Sequence, residues 1–179
     1  MVSGHEDGCI RLWDSSGGTS DDLVPSRILK GHRSFVRNIK FSPDGKWLAS
    51  AGYREDLRVF FWDLRSKGEP THCVFDNHDK GKPSIYAIDF ARGRHALITT
   101  DSLGRIFEWK TGSGQPELSK TIQAEGDWIF KLAISQNNRW IAVVEGEKVF
   151  LHDLAAQEDE HPKPVQLTGF DTREIWALS

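Results

Sequence analysis

The sequence predicts an all-β fold made of four-stranded antiparallel units that recur at intervals of 49, 44 and 46 residues. Three observations predict it. Apolar residues recur with one common spacing, each interval contains four short strand-like runs, and turn residues separate the runs. A sequence period of roughly 20 to 50 residues is typical of proteins that place one supersecondary unit beside the next. The chain is therefore interpreted as an array of repeats.

The first strand of each unit carries apolar residues at a spacing of three and then two positions. These anchors are Val36, Ile39 and Phe41, then Ile85, Ile88 and Phe90, then Ile129, Leu132 and Ile134, and finally Ile175 and Leu178. Strict alternation of apolar and polar residues would mark a half-buried strand. The one additional residue between the first two anchors therefore predicts a bulge near the start of each first strand.

The unit that begins near residue 31 can be divided strand by strand. We predict strands over residues 35–42, 47–52, 57–63 and 72–76. The segment Ser42-Pro43-Asp44-Gly45 predicts a type I turn between the first two strands, because Pro favours the second position and Gly the fourth. Residues 91–94 and 135–138 provide the corresponding turns downstream, and no helix is required.

The residues of this unit resemble a WD-repeat blade. The resemblance rests on Gly31-His32, the Ser-Pro-Asp-Gly turn, Ser50, Asp56 and Trp62-Asp63, and on the opening stretch of residues 3–14. The match becomes weaker downstream, where Lys110 follows Trp109 and His152 stands in place of Trp. The resemblance implies a β-propeller of four-stranded antiparallel blades.

The resemblance also divides the chain into about four blade equivalents of a single partial propeller. The predicted intervals are a partial blade over 1–30, blades over 31–76, 77–123 and 124–168, and the first strand of a further blade over 169–179. WD-repeat propellers usually close with seven or eight blades and need about 320 residues, so we expect a segment of a larger propeller. The alternative is a closed four-bladed ring, in which residues 174–179 pair with the N-terminal strands.

A buried hydrogen-bond network in the blade at 31–76 is implied by the resemblance. Trp62 is expected to donate to Ser50, Ser50 to reach His32, and His32 to meet Asp56. The Trp indole can only donate, whereas Ser and His can each accept one hydrogen bond and donate another. Every buried polar atom of the network can therefore have a partner. His, Ser and Asp are also the residue types of a hydrolase triad. We interpret them as scaffold and predict no catalytic residue.

The partial blade at 1–30 is expected to repeat this network with Ser3, Asp7 and Trp13. His5 aligns with a hairpin position and is not predicted to be the histidine of the Gly-His pair.

Composition and charge exclude several classes of function. The net charge is −3, and Lys and Arg are scattered among acidic residues, so nucleic acid is not an expected partner. No apolar stretch approaches the roughly 20 residues of a membrane span, and residues 1–7 lack the features of a signal peptide. Cys9 and Cys73 are the only cysteines. A reduced, cytoplasmic location is therefore expected.

Metal-ligand residue types are crowded between residues 72 and 79. His72, Cys73, His78 and Asp79 match neither a Cys-x-x-Cys knuckle nor a His-x-x-x-His face. We predict no metal site and no cofactor.

The predicted partner-binding residues lie beside the bulges and in the hairpins. WD-repeat proteins usually make their partner contacts from such positions, and exposed aromatic and Arg side chains dominate protein interfaces. The candidates are Phe35, Arg37, Tyr86, Trp128, Phe130, Trp176, Glu6 and Glu55.

The predicted function is a noncatalytic protein–protein interaction scaffold or sensor module. Its expected partners are a protein of unknown identity and the remaining blades of the same parent chain. The alternative is a propeller enzyme with a site in its channel. Such an enzyme needs convergent carboxylates or histidines on the first strands, and these positions are here largely aromatic or basic.

Overall fold

The computed structural model describes residues 1–14, 24–53, 56–66, 72–75, 84–93, 95–112, 115–126, 128–156 and 163–168, with only the backbone at 72–75. Every regular element among these residues is a β-strand. The strands form four sheets of three or four strands, all paired antiparallel. The predicted all-β fold class is confirmed. The chain divides into two compact units, Met1–Lys82 and Pro83–Ser179.

The first unit contains a three-stranded sheet and a four-stranded sheet. The three-stranded sheet consists of β1 (Val2–Gly4), β2 (Cys9–Leu12) and β3 (Arg27–Lys30), paired in that order. The four-stranded sheet consists of β4 (Val36–Phe41), β5 (Trp47–Gly52), β6 (Val59–Asp63) and β7 (His72–Phe75). All four strands of this second sheet lie within or match the strands predicted for residues 35–76.

One apolar cluster joins the two sheets of the first unit. Its buried members are Ile10 and Leu29 from the three-stranded sheet and Leu48, Phe60 and Trp62 from the four-stranded sheet. Leu48, Phe60 and Trp62 share one face of their sheet, because side chains alternate between the two faces along a strand and Leu48 is paired with Trp62. The cluster also buries the indole of Trp62, which is 2% exposed.

The second unit contains two four-stranded sheets. One consists of β8 (Ile85–Ala91), β9 (Ala96–Asp101), β10 (Arg105–Lys110) and β11 (Glu117–Gln123). The other consists of β12 (Ile129–Ile134), β13 (Trp140–Glu145), β14 (Lys148–Asp153) and β15 (Val165–Leu167). The blade intervals proposed from the sequence stay a prediction, and residues 169–179 lie outside the described residues.

The core of the second unit also lies between its two sheets. Ile98 and Ile106 from the first of these sheets share one buried cluster with Ile129, Ile141 and Val143 from the other. All five are at most 1% exposed. Aliphatic residues dominate this core, whereas aromatic residues contribute more to the core of the first unit.

A bulge interrupts the first strand of each four-stranded sheet. Val36 and Asn38 pair with the consecutive residues Gly52 and Ala51, so Arg37 between them has no opposite residue. The same shift occurs between Ile85 and Ala87 and between Ile129 and Lys131. The additional residues are therefore Arg37, Tyr86 and Phe130. The bulge predicted from the spacing of apolar anchors is confirmed in these three strands, whereas the fourth set of anchors, Ile175 and Leu178, lies outside the described residues.

The turn after β4 has a counterpart after β12. The Gly45 amide donates to the Ser42 carbonyl oxygen at 2.9 Å, and the Ser42 hydroxyl donates to Asp44 and accepts from the Trp47 amide. Ser135 makes the equivalent contacts with the Asn138 amide, Asn137 and the Trp140 amide. A Ser side chain that bonds its own turn stabilises the reversal in both sheets.

Candidate functional site

Four side chains form a continuous hydrogen-bond network in the sheet β4–β7. The indole Nε1 of Trp62 donates to Ser50 Oγ at 2.8 Å. Ser50 Oγ lies 2.7 Å from His32 Nε2, and His32 Nδ1 lies 2.8 Å from Asp56 Oδ2. Because an ionised carboxylate can only accept, Nδ1 carries a proton and donates to Asp56. The structure thus brings together the four residues that the resemblance grouped.

Asp56 anchors this network to the backbone. It accepts from the Arg33 amide at 2.7 Å and from Arg58 Nε at 2.6 Å. Burial favours the neutral acid and would raise the pKa of Asp56, but the hydrogen bonds from His32, Arg58 and the Arg33 amide outweigh it and hold the pKa well below its usual range. The ionised carboxylate therefore ties the loop before β4 to the hairpin after β5.

Burial separates this network from a hydrolase triad. Ser50 is 0% exposed and Asp56 is 1% exposed. The Ser50 hydroxyl accepts from Trp62 while it is bonded to His32, so its oxygen is enclosed by the core. A nucleophile must reach a substrate carbonyl at about 3 Å. This geometry supports the structural interpretation of His32, Ser50 and Asp56.

The three-stranded sheet contains a shorter network. Trp13 Nε1 donates to Ser3 Oγ at 2.8 Å, and Ser3 Oγ lies 2.8 Å from His5 Nε2. Asp7 is placed differently from the expectation, because it accepts from the Cys9 amide at 2.9 Å and from Arg11 at 2.7 Å. The bonds from Arg11 and the Cys9 amide lower the pKa of Asp7 to about 2. Asp7 therefore bonds within its own hairpin and to Arg11 on β2, and the side chain that contacts Ser3 is His5.

The sheet β8–β11 retains one bond of the network. Trp109 Nε1 donates to Thr99 Oγ1 at 3.0 Å, and both residues are buried. Asp101 accepts from the Leu103 and Arg105 amides and from the Arg105 guanidinium, which closes the hairpin. Thr100 donates its hydroxyl to the Ile129 carbonyl oxygen at 3.2 Å. This last bond connects the sheet to the start of β12.

The sheet β12–β15 uses a different pair of buried side chains. His152, in the position where the other sheets have Trp, lies with Nε2 3.1 Å from Glu145 Oε1. The second oxygen of Glu145 accepts from the Gly126 amide at 2.9 Å. His152 and Glu145 are each 4% exposed. Glu145 thus holds the loop before β12, as Asp56 holds the loop before β4.

The bulges direct three candidate residues outward from their sheets. Arg37 is exposed, and its guanidinium carbon lies 4.7 Å from the centroid of the Tyr53 ring. Tyr86 is half-buried, and Phe130 is 39% exposed. A bulged residue has no directly opposite residue on the neighbouring strand, so its side chain is not part of a cross-strand pair.

Tyr86, Trp128 and Phe130 form a contiguous group in the second unit, here termed the aromatic cluster. The ring centroids of Tyr86 and Phe130 are 5.0 Å apart, and each lies 5.9 Å from that of Trp128. Tyr86 and Trp128 are stacked at 23°. Trp128 is 52% exposed. The cluster therefore presents ring surface to solvent while its rings contact one another.

A tightly anchored loop carries Trp128. The Ala124 amide donates to the Gly104 carbonyl oxygen at 2.8 Å, and the Gly126 amide is held by Glu145. A Cβ at Gly104, where φ is +71°, would lie 2.0 Å from the Gly126 carbonyl oxygen, so only glycine permits this approach. Trp128 itself has a φ of 67°, a strained value for a bulky residue.

The remaining candidates are dispersed. Phe35 is half-buried, and its carbonyl oxygen accepts from the Tyr53 amide. Glu6 is exposed in the hairpin after β1. Glu55 and Trp176 lie outside the described residues. The structure thus brings together Tyr86, Trp128 and Phe130, and it places Arg37 against Tyr53 in the first unit.

Sequence reasoning missed His5, Arg58 and the pair of Glu145 and His152. The substitution of His152 for Trp was visible, but its partner was not, because Glu145 lies seven residues away at the other end of a hairpin. The residues 99 and 109 could have been paired, since their separation of ten equals that of Ser3 and Trp13.

Among the residues that the structure describes, there is no group of three or more His, Cys, Asp or Glu side chains positioned to share a metal ion. The side chains of His72, Cys73, His78 and Asp79 lie outside the part of the chain that the structure describes. Within the described residues, no helix has the length and apolar composition needed to cross a bilayer.

Comparison with known proteins gives one match to a family description and many to individual proteins. The family described as "WD domain, G-beta repeat" matches residues 23–63. Nuclear distribution protein PAC1 of Ajellomyces capsulatus (strain H143) is 35% identical over 136 residues, which are 75% of this chain and 28% of the relative. The ribosome biogenesis protein WDR12 homolog of Nematostella vectensis is 33% identical over 98 residues, or 54% of this chain and 22% of the relative.

A solved structure shares the fold. A chain in the crystal structure of the Mitotic Checkpoint Complex superposes with a TM-score of 0.65 and 18% sequence identity, over 80% of this chain and 42% of that chain. This chain spans less than a third of the length of the two curated relatives. Similarity at this level concerns the repeated blade and its fold.

Proposed function

Because the chain is a WD-repeat β-propeller sequence, we propose that it is a noncatalytic module that binds another protein through exposed residues beside the bulges. The observation that carries the proposal is the aromatic cluster. Trp128 is 52% exposed and Phe130 is 39% exposed, so a large apolar ring surface contacts solvent in the free protein. Aromatic residues are enriched at the centres of protein interfaces, where they supply large contact area.

The buried networks support a noncatalytic role. His32, Ser50 and Asp56 have the residue types of a triad, but their polar atoms are consumed by bonds within the core. Glu145 and His152 are likewise bonded to each other and to the Gly126 amide. Each network joins strands and loops, so its chemistry stabilises the sheet.

The rigid presentation of the cluster supports a binding role. The loop before β12 is held by the Gly104 carbonyl oxygen, by Glu145 and, through Ile129, by Thr100. Rings that are already ordered in the free protein lose little entropy on binding, which favours affinity. The proposed partner is therefore a protein that buries the exposed faces of Trp128 and Phe130.

The proposal extends to location and to further partners. An intracellular, cytoplasmic location is supported by the two cysteines in 179 residues and by relatives whose names refer to nuclear distribution and ribosome biogenesis. Blades contributed by a larger parent chain remain among the proposed partners, together with a separate protein.

Affinity purification of the tagged full chain, followed by quantitative mass spectrometry, tests the proposal. The Trp128→Glu and Phe130→Glu variants are expected to lose at least one copurified protein about tenfold, since a buried unpaired charge disrupts an interface. Leu118→Glu is the matched control, because Leu118 is 53% exposed in the same unit and lies on β11.

Thermal unfolding of the same variants separates binding from folding. Both cluster variants are expected to unfold within a few degrees of the unsubstituted chain, because neither residue is buried: Trp128 is 52% exposed and Phe130 is 39% exposed. Equal recovery of every copurified protein by the three variants would contradict the proposed docking surface.

A further inference from the structure

The aromatic cluster has the geometry of a site for a cationic side chain. Three rings lie with centroids 5.0 to 5.9 Å apart, and the most exposed ring is the indole of Trp128. The face of an aromatic ring carries negative potential, and indole is the strongest of the three ring types in attracting a cation. A flat guanidinium or an ammonium group can therefore contact the exposed indole while neighbouring rings limit its position.

The segments that carry the cluster are acidic. Residues 123–131 contain Glu125 and Asp127 against the single cation Lys131, and residues 84–91 contain Asp89 and no Lys or Arg. Glu125 is exposed three positions before Trp128. The chain as a whole has a net charge of −3. These charges favour the approach of a basic segment over that of an acidic one.

The first unit shows the same chemistry within the chain. At the bulge of β4, Arg37 holds its guanidinium carbon 4.7 Å from the centroid of Tyr53. At the bulges of β8 and β12 the corresponding residues are the rings Tyr86 and Phe130. A bulge position in this chain is therefore compatible with a cation above a ring. In the second unit the bulges contribute rings, so the ligand would contribute the charge.

We propose that the aromatic cluster binds an arginine or lysine side chain from a basic segment of a partner protein, with the cation above the exposed face of Trp128. This inference rests on the proposed protein-binding function and specifies the chemistry of the ligand. The backbone of the loop before β12 is already anchored, so binding needs little rearrangement.

The test compares two blocked tripeptides, acetyl-Gly-Arg-Gly-amide and its citrulline analogue, which has nearly the same shape and no charge. Binding to the full chain is followed by the indole N–H resonance of Trp128 in nuclear magnetic resonance titrations. That resonance is assigned by its loss in Trp128→Phe. The arginine peptide is expected to bind about two- to fivefold more tightly than the citrulline peptide, as for an exposed cation–π contact.

Two variants locate the site. Trp128→Ala is expected to remove the preference for arginine, which can be followed through the resonances of residues 129–131, whereas Leu118→Ala should retain it. Equal binding of the two peptides, binding of neither at tens of millimolar, or an unchanged preference in Trp128→Ala would each overturn the cation site.

The outcomes separate this inference from the function on which it rests. If Trp128→Glu loses a copurified protein while the peptides bind equally, the cluster is a docking surface for an uncharged ligand and only the cation site is wrong. If Trp128→Glu retains every copurified protein and the peptides also bind equally, both proposals are wrong.

Discussion

The sheets β4–β7 and β12–β15 use different side chains to hold the loop that precedes their first strand. In the first, Trp62, Ser50 and His32 lead to Asp56, which accepts from the Arg33 amide at 2.7 Å. In the second, His152 contacts Glu145 directly, and Glu145 accepts from the Gly126 amide at 2.9 Å. Each carboxylate fixes the loop that precedes the first strand. Both sheets therefore use a carboxylate to hold this loop, but different hydrogen-bonded side chains connect that carboxylate to the rest of the sheet.

The shorter connection in the sheet β12–β15 starts from a different backbone position. Glu145 pairs with Ile129 at the end of β13, as Gly52 pairs with Val36 at the end of β5, whereas Asp56 lies four residues beyond Gly52. Ser50 occupies the position on β5 that Val143 occupies on β13, as the strand registers show. A valine cannot continue a hydrogen-bond chain. From its position on β13, Glu145 contacts both His152 and the Gly126 amide without an intermediate hydroxyl or a second histidine.

Removal of the carboxylate in the first unit is expected to have the largest effect. Asp56→Ala should lower the free energy of unfolding by about 3 kcal/mol, because it leaves buried donors of His32, Arg33 and Arg58 without their acceptor. Urea unfolding followed by tryptophan fluorescence measures the change. Asp7→Ala is the control, since Asp7 also bonds an arginine but is half exposed, and it should cause a much smaller shift.

Removal of the carboxylate in the second unit is expected to have a smaller effect. Glu145→Ala should cost about 2 kcal/mol, because it removes the acceptor of two donors, whereas five donor atoms bond to Asp56. Glu147→Ala, at an exposed position of the same hairpin, provides the reference. If Glu145→Ala destabilised the protein more than Asp56→Ala, the longer network would not be the stronger anchor.

The pH dependence of stability gives a third comparison. The pKa of Asp56 is lowered in the folded protein, so its contribution is present above the ordinary carboxyl pKa of about 4 and is lost as the pH falls toward the folded value. Asp56→Asn should reduce the slope of stability against pH below about 4 by at most about 1.4 kcal/mol per pH unit.

The control for this measurement is Glu147→Gln, which removes an exposed carboxylate from the other unit. Unfolding free energies are compared at several pH values between about 2.5 and 5, where the unfolded carboxyl titrates. An unchanged slope in Asp56→Asn would show that the His32–Asp56 contact does not stabilise the ionised form.

Replacement of the His152–Glu145 contact by a Thr–Trp pair, as found in the sheet β8–β11, is expected to have the smallest effect. The double variant Val143→Thr with His152→Trp would place the pair found at Thr99 and Trp109 into β13 and β14. Val143→Thr alone buries an unpaired hydroxyl, which the indole donor of the double variant should satisfy. A double-mutant cycle should give a favourable coupling of about 1 kcal/mol. Additive effects would show that the two networks are not interchangeable at this position.

Local patterns in the sequence predicted the strands and the bulge. Spacing of three and then two between Val36, Ile39 and Phe41 directly reflects the side on which each residue lies, so the register shift at Arg37 followed from it. The Ser42–Gly45 turn was predictable for the same reason, since its residues contact one another within a few positions.

Contacts between distant or atypical residues could not be predicted in this way. The ring of His5 contacts Ser3, whereas the resemblance to a WD-repeat blade implied Asp7 as a member of this network. Glu145 and His152 meet only when β13 and β14 pair, and neither residue belongs to the WD-repeat pattern. The grouping of Tyr86 with Trp128 joins residues 42 positions apart and depends on packing of the two sheets in the second unit.

The bulges at Arg37, Tyr86 and Phe130 separate the identity of a residue from the stability of its sheet. At each bulge, the residues before and after the additional residue pair with two consecutive residues of the neighbouring strand, so the hydrogen-bond ladder continues past it. A cation, a phenol and a benzyl group occupy the same backbone setting. An exchange among these three side chains would therefore alter the ligand preference of the surface and leave the hydrogen-bond ladder as it is. For protein engineering, the bulge is a position at which recognition can be rewritten without redesign of the core.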